Sequence, residues 1–252
     1  MLQTVNRAGR VLDLFSPEHP EWGATAVAHE IDVAKSQAHE LLVTLADIGL
    51  LERADAGRYR LGWRIPALNS RFLDTNHIGR DAPRVMRALV VYYGETVQLI
   101  VWGPALRTIC IAVCEGRNGI AVSPWPVGAD RPAHCTGAGK VLLAGRPWPE
   151  VRELLGRERL ERVTNHTIVS GDGLETELRG VRHRGYAYED SEHDLDVCGV
   201  AAPIVDVRGE VVAAVGMSVF AQRWQRGRRE YARALVAAAE RVSHPPAAVR
   251  SQ

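Results

Sequence analysis

The sequence predicts an α+β protein of two modules: an N-terminal helix-turn-helix with a hairpin wing, and a C-terminal antiparallel sheet covered by helices. Three observations carry this. The 252 residues suit two cores at about 150 residues per domain. Apolar residues recur at helical spacing through residues 5–48 and then give way to a short alternating hairpin. Beyond residue 80, strand-like runs arrive in consecutive groups joined by short turns, the order of an α+β sheet. With 46% hydrophobic and 24% charged residues, the composition is that of a soluble globular protein and excludes disorder as the main reading.

Val5, Ala8, Val11, Leu12 and Phe15 form one apolar stripe at i, i+3, i+4 spacing, a first helix. Pro17, Pro20 and Gly23 interrupt it, and Thr25 is placed to cap a short helix ending near Ile31. Asp32-Val33-Ala34 is a tight connection to a second amphipathic helix, opened by Ser36 and carrying Leu41, Leu42, Leu45 and Ile48, with Gly49 at the left-handed residue that ends it. Leu50 to Arg53, the turn Asp55-Ala56-Gly57 and Arg58 to Leu61 read as a hairpin, completing the order of a winged helix-turn-helix. A helical connector begins at Pro66. After it come a helix at 81–93, strands at 96–102, 108–115 and 119–124, helices at 137–144 and 173–184, strands at 185–190, 200–206 and 210–219, and a closing helix at 226–242. The expected domains are 1–65, a linker helix at 66–79, 80–243, and a frayed tail at 244–252.

A DNA-reading helix presents polar and basic side chains near its N-terminus, the end that enters the major groove. Lys35, Ser36, Gln37 and His39 stand there, with Glu40 next. Gln37 suits adenine, Lys35 suits guanine or phosphate, and Ser36 suits a cap or a phosphate contact. Arg53, Arg58 and Arg60 of the wing, with Arg58 and Arg60 opposite Tyr59 by strand alternation, are placed to follow phosphates, and Arg7 and Arg10 to approach from the flank. Against this stands the charge. The chain is +1 overall, but residues 1–65 hold seven basic and nine acidic side chains, −2, leaving +3 for the rest. Glu18, Glu21 and Glu30 precede the recognition helix and are expected to face away from DNA. The alternative is a winged helix that binds protein, with solvated arginines.

These residues resemble a family. Asn6-Arg7-Ala8 with Val11-Leu12, the stretch from Lys35-Ser36 through His39-Glu40-Leu41-Leu42 to Gly49-Leu50-Leu51-Glu52-Arg53, and Gly57 to Gly62 look like the DNA-binding domain of IclR-type transcriptional regulators. Pro132-Ala133-His134-Cys135-Thr136-Gly137-Ala138-Gly139-Lys140, Gly185-Tyr186-Ala187 with Glu192-His193, and Val200-Ala201-Ala202-Pro203 resemble that family's effector domain. The resemblance spans residues 4 to 242. It implies a GAF-like antiparallel-sheet effector domain, double-stranded operator DNA as partner, dimers joined through the N-terminal domains or tetramers, and a small organic acid effector acting allosterically. Asp32-Val33-Ala34 stands where the family commonly has Gly-Leu-Pro, and aspartate tolerates the left-handed turn.

Thr136-Gly137-Ala138-Gly139 opens a helix with exposed amides, an anion site by helix dipole and orphan N–H groups. A phosphate loop is excluded, since His134 and Val141 occupy the positions of its first glycine and its Ser/Thr. The resemblance puts a carboxylate on Gly137 and Ala138 and completes the pocket with residues carried over to Glu189, Gly199, Gly216 and Ser218, where the family has an aspartate, a cysteine and serines. Only Ser218 matches outright. Gly199 and Gly216 open volume, so the expected effector is bulkier or more apolar than a small oxo-acid, with Trp125 or Trp102 as its cover unless these pack in the core.

Two further readings remain. Cys110, Cys114, His134, Cys135, His193 and Cys198 supply soft metal ligands, making a metal- or thiol-based sensor at Cys135, Cys198, His134 and His193 the alternative function. A nucleophilic Cys135 with His134 or His193 and an acid among Glu192 and Asp194 would make an enzyme, but no spacing fixes a base beside the thiol, and the reading is of no enzyme, cofactor or metal. The run Arg223 to Arg229 is the densest basic patch, read as a solvated helix start or as a nucleic-acid or subunit contact. No window reaches the ~18 apolar residues of a membrane span, and the four cysteines suit reduced thiols, so a cytoplasmic protein without a membrane partner is expected.

Overall fold

The computed structural model describes residues 2–75, 77–103, 106–118, 127–156 and 160–244. The chain divides into two compact units, 1–76 and 77–252.

The first unit runs α1 (Gln3–Leu12), β1 (Trp22–Gly23), α2 (Ala24–Ile31), α3 (Lys35–Asp47), β2 (Leu51–Arg53), a single 3-10 turn (Asp55–Gly57), β3 (Arg58–Leu61) and α4 (Arg64–Thr75). Val11, Val27, Ile31, Ala38, Leu42, Leu45, Leu51 and Tyr59 interlock as its core. The turn between α2 and α3 depends on Asp32, left-handed at φ 55°, which lets the Val33 N–H reach back to the Ala28 carbonyl at 3.0 Å. Gly49, at φ +77°, ends α3 in the same way, with Leu50 N–H on the Leu45 carbonyl at 2.9 Å. Other details differ from expectation. Gly23 rather than Thr25 caps α2, because β1 pairs with β3 (Trp22 opposite Tyr59) and delivers the chain in extended form. Ala34 precedes α3, so Ser36 is not its cap. Val5 is 66% exposed, off the core stripe.

The second unit runs α5 (His77–Tyr93), β4 (Thr96–Trp102), β5 (Arg107–Cys114), β6 (Asp130–Pro132), a 3-10 turn (Ala133–Cys135), α6 (Gly137–Ala144), α7 (Trp148–Leu155), α8 (Gly171–Arg184), β7 (Ala187–Asp194), β8 (Val197–Val205), β9 (Val211–Phe220) and α9 (Ala221–Ser243). Its six strands are all antiparallel, in the order β6-β5-β4-β9-β8-β7. Strand alternation divides the residues by size. Val97, Leu99, Val200, Ala202, Ile204, Val215, Met217 and Val219 pack with α5 and α9 on one face. Ala187, Ala201 and Ala214 face the other way, with α6 and α8. Small residues under α6 bring the helix close to the sheet and, where they are glycines, leave a hollow. The short β6 and α7 were not expected from the sequence. The expected strand at 119–124 and most of the tail at 244–252 lie outside the described residues, and residues 66–79 fall on α4 and the start of α5, in different units.

Candidate functional site

In the first unit, Lys35, Ser36, Gln37 and His39 occupy the opening turns of α3 and are all exposed, as is Glu40. The structure brings Gln37 and Glu40 together with Arg7 along a groove between α1 and α3, whose walls are otherwise mostly apolar. Arg10 and Arg53 are exposed. Arg58 and Arg60 stand on β3 on either side of buried Tyr59, as alternation requires. Both have carboxylate partners: Arg58 Nε lies 3.1 Å from Glu21, and Arg60 pairs with Glu52 across the hairpin. Glu21 therefore does not stand apart from the wing. Both pairs are solvent-exposed, where an ion pair contributes ~0–1 kcal/mol and a phosphate can displace the acid.

In the second unit, a small cavity of about 50 Å³, partly open to solvent, lies between the N-terminus of α6 and the sheet. Thr136 caps α6, its Oγ1 accepting from the Gly139 N–H at 3.1 Å. The Lys140 N–H reaches the Thr136 carbonyl at 2.9 Å. Gly137 and Ala138 thus retain the orphan N–H groups of a helix start, and both line the cavity. The two glycines of this turn serve different ends. A Cβ on Gly139 would collide with the backbone of Ala133, whereas one on Gly137 would sit at an ordinary 3.6 Å from Ala201.

The floor follows from register. Glu189 pairs with Gly199 and Gly199 with Ser218, while Ala201 pairs with Gly216 and Gly216 with Gln98. Paired residues share a face, so Gly199 and Gly216 lie between Glu189 on β7 and the Gln98–Ser218 pair, whose side chains bond at 3.2 Å; a Cβ on Gly199 would stand 3.6 Å from Glu189 Oε2 and one on Gly216 3.5 Å from Ile100 Cδ1. Glu189 is buried; its Oε1 accepts from the N–H groups of Glu192 at 2.8 Å and His193 at 3.2 Å. Burial raises its carboxyl to about 8, against the downward pull of those amides and of Lys140. Arg131 on β6 also lines the cavity and donates to the His193 ring. Burial, reinforced by Arg131, lowers His193 to about 4, so the ring is neutral and can accept.

Beneath α6, Lys140 is 1% exposed and pairs with Glu192 of β7, with Glu177 of α8 at 3.8 Å. Burial raises the Glu192 carboxyl, opposed by Lys140, and its Oε2 has no hydrogen-bond partner among the described residues. Lys140 thus ties α6 to β7 and α8.

Thr136, Gly137, Ala138, Glu189, Gly199, Gly216 and Ser218 therefore all line one cavity. Trp125 lies outside the described residues. Trp102 does not line the cavity; it packs beside α6 with the Arg146 guanidinium 5.2 Å over its ring. Arg131, Gln98 and His193 as a pocket residue were missed. Gln98, a polar residue inside Val97-Gln98-Leu99-Ile100-Val101, carried a usable signal, because a buried polar side chain in an apolar strand needs a partner.

The metal and thiol alternative loses its geometry. Among the described residues, no group of three or more His, Cys, Asp or Glu is placed to hold a metal. His134 bonds the Glu161 carbonyl at 2.9 Å, Cys135 donates to the Pro132 carbonyl, and Cys198 sits beside Ser191. Burial pushes the Cys110 and Cys135 thiols up to about 12 and raises Cys198 as well, the reverse of a reactive thiolate. Among the described residues, no helix is long and apolar enough to cross a membrane.

A winged helix-turn-helix with an exposed polar α3, carried on the same chain as a sheet domain with a cavity, defines the class of DNA-binding transcriptional regulators. Residues 4–55 match the IclR helix-turn-helix domain, and residues 70–244 match the bacterial transcriptional regulator IclR C-terminal domain. The chain is 28% identical over 218 residues to the transcriptional repressor IclR of Escherichia coli strain K12, covering 86% of this chain and 80% of the relative. The crystal structure of an IclR transcriptional regulator from Alicyclobacillus acidocaldarius matches with a TM-score of 0.87 at 25% identity, covering 96% of this chain and 98% of that one. That of an IclR homologue from Microbacterium hydrocarbonoxydans, complexed with 4-hydroxybenzoate, matches at 0.82 and 25%, covering 95% and 97%. The chain belongs to the IclR family of bacterial transcriptional regulators, a family of regulators and not of enzymes.

Proposed function

We propose that the chain reads double-stranded operator DNA as a homodimer or homotetramer, and that a small organic acid held in the second unit's cavity alters its operator affinity. Lys35, Gln37 and His39 read or approach bases, Ser36, Arg53, Arg58 and Arg60 contact phosphates, and Arg7 and Arg10 flank them. Paired subunits fit half-sites about one helical turn apart.

The observation that carries the effector reading is the cavity itself: a helix start with orphan amides facing a floor of two glycines. The effector's carboxylate docks on the Gly137 and Ala138 amides. Its body lies toward Gly199 and Gly216, with Ile100 giving way, and reaches Glu189 on one side or Ser218 on the other. The 4-hydroxybenzoate complex of the Microbacterium homologue supports an aromatic acid.

A thermal-shift panel tests this, comparing glyoxylate and pyruvate with benzoate and hydroxybenzoates. Stabilisation by the aromatic acids is the expected result; stabilisation by glyoxylate or pyruvate alone contradicts it. A band-shift with the chain's own upstream region, comparing wild type with Gln37→Ala and Lys35→Ala, tests the DNA contacts. Unchanged affinity and salt dependence in both variants would refute the assignment of α3.

A further inference from the structure

The first half of α9 is strongly basic. Residues 221–233 contain five arginines and one acid, Glu230. Phe220, at the N-cap, makes no capping bond, and no acid stands in the first turn. Arg223 is compensated by a two-point bond to Glu95, at 3.1 and 3.0 Å. Arg228 is partly compensated, 4.0 Å from Asp190 and stacked over Tyr188 at 4.9 Å. Arg226, Arg229 and Arg233 have no carboxylate within 4.0 Å among the described residues, and their i, i+3, i+7 spacing puts them on one face of α9.

That face borders a groove. Arg228, Arg229 and Arg233 form one wall, continued by apolar α9 residues to Glu240 at one end; Arg184, Tyr186 and Tyr188 form the other, on the edge-strand side of the sheet. The groove has a volume of about 600 Å³ and is open to solvent. Arg184 is locked there by the Tyr186 carbonyl at 2.8 Å and by Glu177, which leaves the charge excess on α9. Two guanidinium groups without a carboxylate within 4.0 Å and a third only loosely paired, on one helix facing aromatic rings, match a compact anion of several charges. Planar guanidinium forks pair with phosphate oxygens two at a time.

We propose that this groove is a second ligand site, distinct from the α6 cavity, that binds a polyphosphate group, with Arg229 and Arg233 as its anchors and Arg228 held ready by Tyr188 and Asp190. The group comes either from a nucleoside triphosphate, whose base lies against Tyr186, or from inorganic polyphosphate.

The test is calorimetric titration of the full chain with tripolyphosphate, ATP and adenosine, in wild type and in Arg229→Gln/Arg233→Gln. Operator DNA takes no part in it, so its outcome is independent of the DNA reading. Tripolyphosphate and ATP are expected to bind once per chain, to weaken steeply with salt, and to lose at least about tenfold affinity in the double variant. ATP binding tighter than tripolyphosphate, with the margin lost in Tyr186→Leu, identifies a nucleotide; equal affinities identify the polyphosphate group alone. Without ligand, the double variant should melt at the wild-type temperature, whereas a structural role for these arginines would lower the melting point. No binding at millimolar ligand, or binding unaffected by the double variant, would overturn the proposal.

Discussion

The two units handle charge in opposite ways. On the first, Arg58 and Arg60 meet Glu21 and Glu52 in solvent, where both partners stay hydrated and can exchange for a phosphate. In the second, Lys140 and Glu192 are paired inside the protein, and Glu189 and His193 are pushed toward neutrality by burial. A surface that must release its own counter-charges to bind a polyanion can be altered at little cost to folding. A cavity roofed by a helix that is itself pinned by a buried ion pair cannot. Binding chemistry and stability are thus separable in the first unit and entangled in the second.

The largest expected effect comes from breaking the buried pair. Lys140→Ala leaves Glu192 without its cation and should cost about 3–5 kcal/mol in chemical denaturation, while Lys140→Met/Glu192→Leu should recover most of it. A neutral Lys140→Ala would remove the contrast between the units. The two glycines of α6 sharpen it. Gly139→Ala, which drives a methyl into the Ala133 backbone, should lose about 1–3 kcal/mol, whereas Gly137→Ala should fold normally and lose organic-acid binding in the thermal-shift panel.

Glu189 gives a pH signature. Its carboxyl titrates at about 8 when folded against an ordinary 4.5. Its contribution to stability is therefore complete below 4.5 and is lost as pH rises through 8. Glu189→Gln lacks that loss, so melting curves should show its advantage over wild type growing from about pH 5 to about pH 9. A constant difference across that range would mean the carboxyl is not held neutral. The smallest effect on stability belongs to the wing. Arg58→Ala and Arg60→Ala should each change it by no more than ~1 kcal/mol, yet each should lower the salt slope of operator binding by about 0.9, because one fewer phosphate is neutralised.

The same division decides what was legible in the sequence. The helix-turn-helix could be read because its signals are local: a 3.6-residue period, Gly49 at a helix end, and a turn flanked by alternating residues. The α6 start was equally local, so Thr136, Gly137 and Ala138 could be named. Arg131 sits on a three-residue strand that leaves no periodic trace, and Gln98 reaches the site only through the β4–β9 register. The ion partners of Arg58 and Lys140 lie 37 and 52 residues away in sequence, so distance along the chain concealed them. Near-neutral total charge also changes meaning. The slightly acidic DNA-reading unit predicts a weak non-specific background, with operator affinity resting on a few placed contacts and on paired subunits.

The central claim is that the α6 cavity and the α3 surface are coupled. The most direct measurement is fluorescence anisotropy of a labelled duplex from the chain's own upstream region, titrated with protein with and without a saturating aromatic carboxylate, in wild type and Gly137→Ala. The account predicts a change in wild-type Kd of about 5- to 150-fold that is absent in Gly137→Ala, whose ligand-free Kd matches wild type. The same Kd with and without an acid that calorimetry shows to be bound would contradict it.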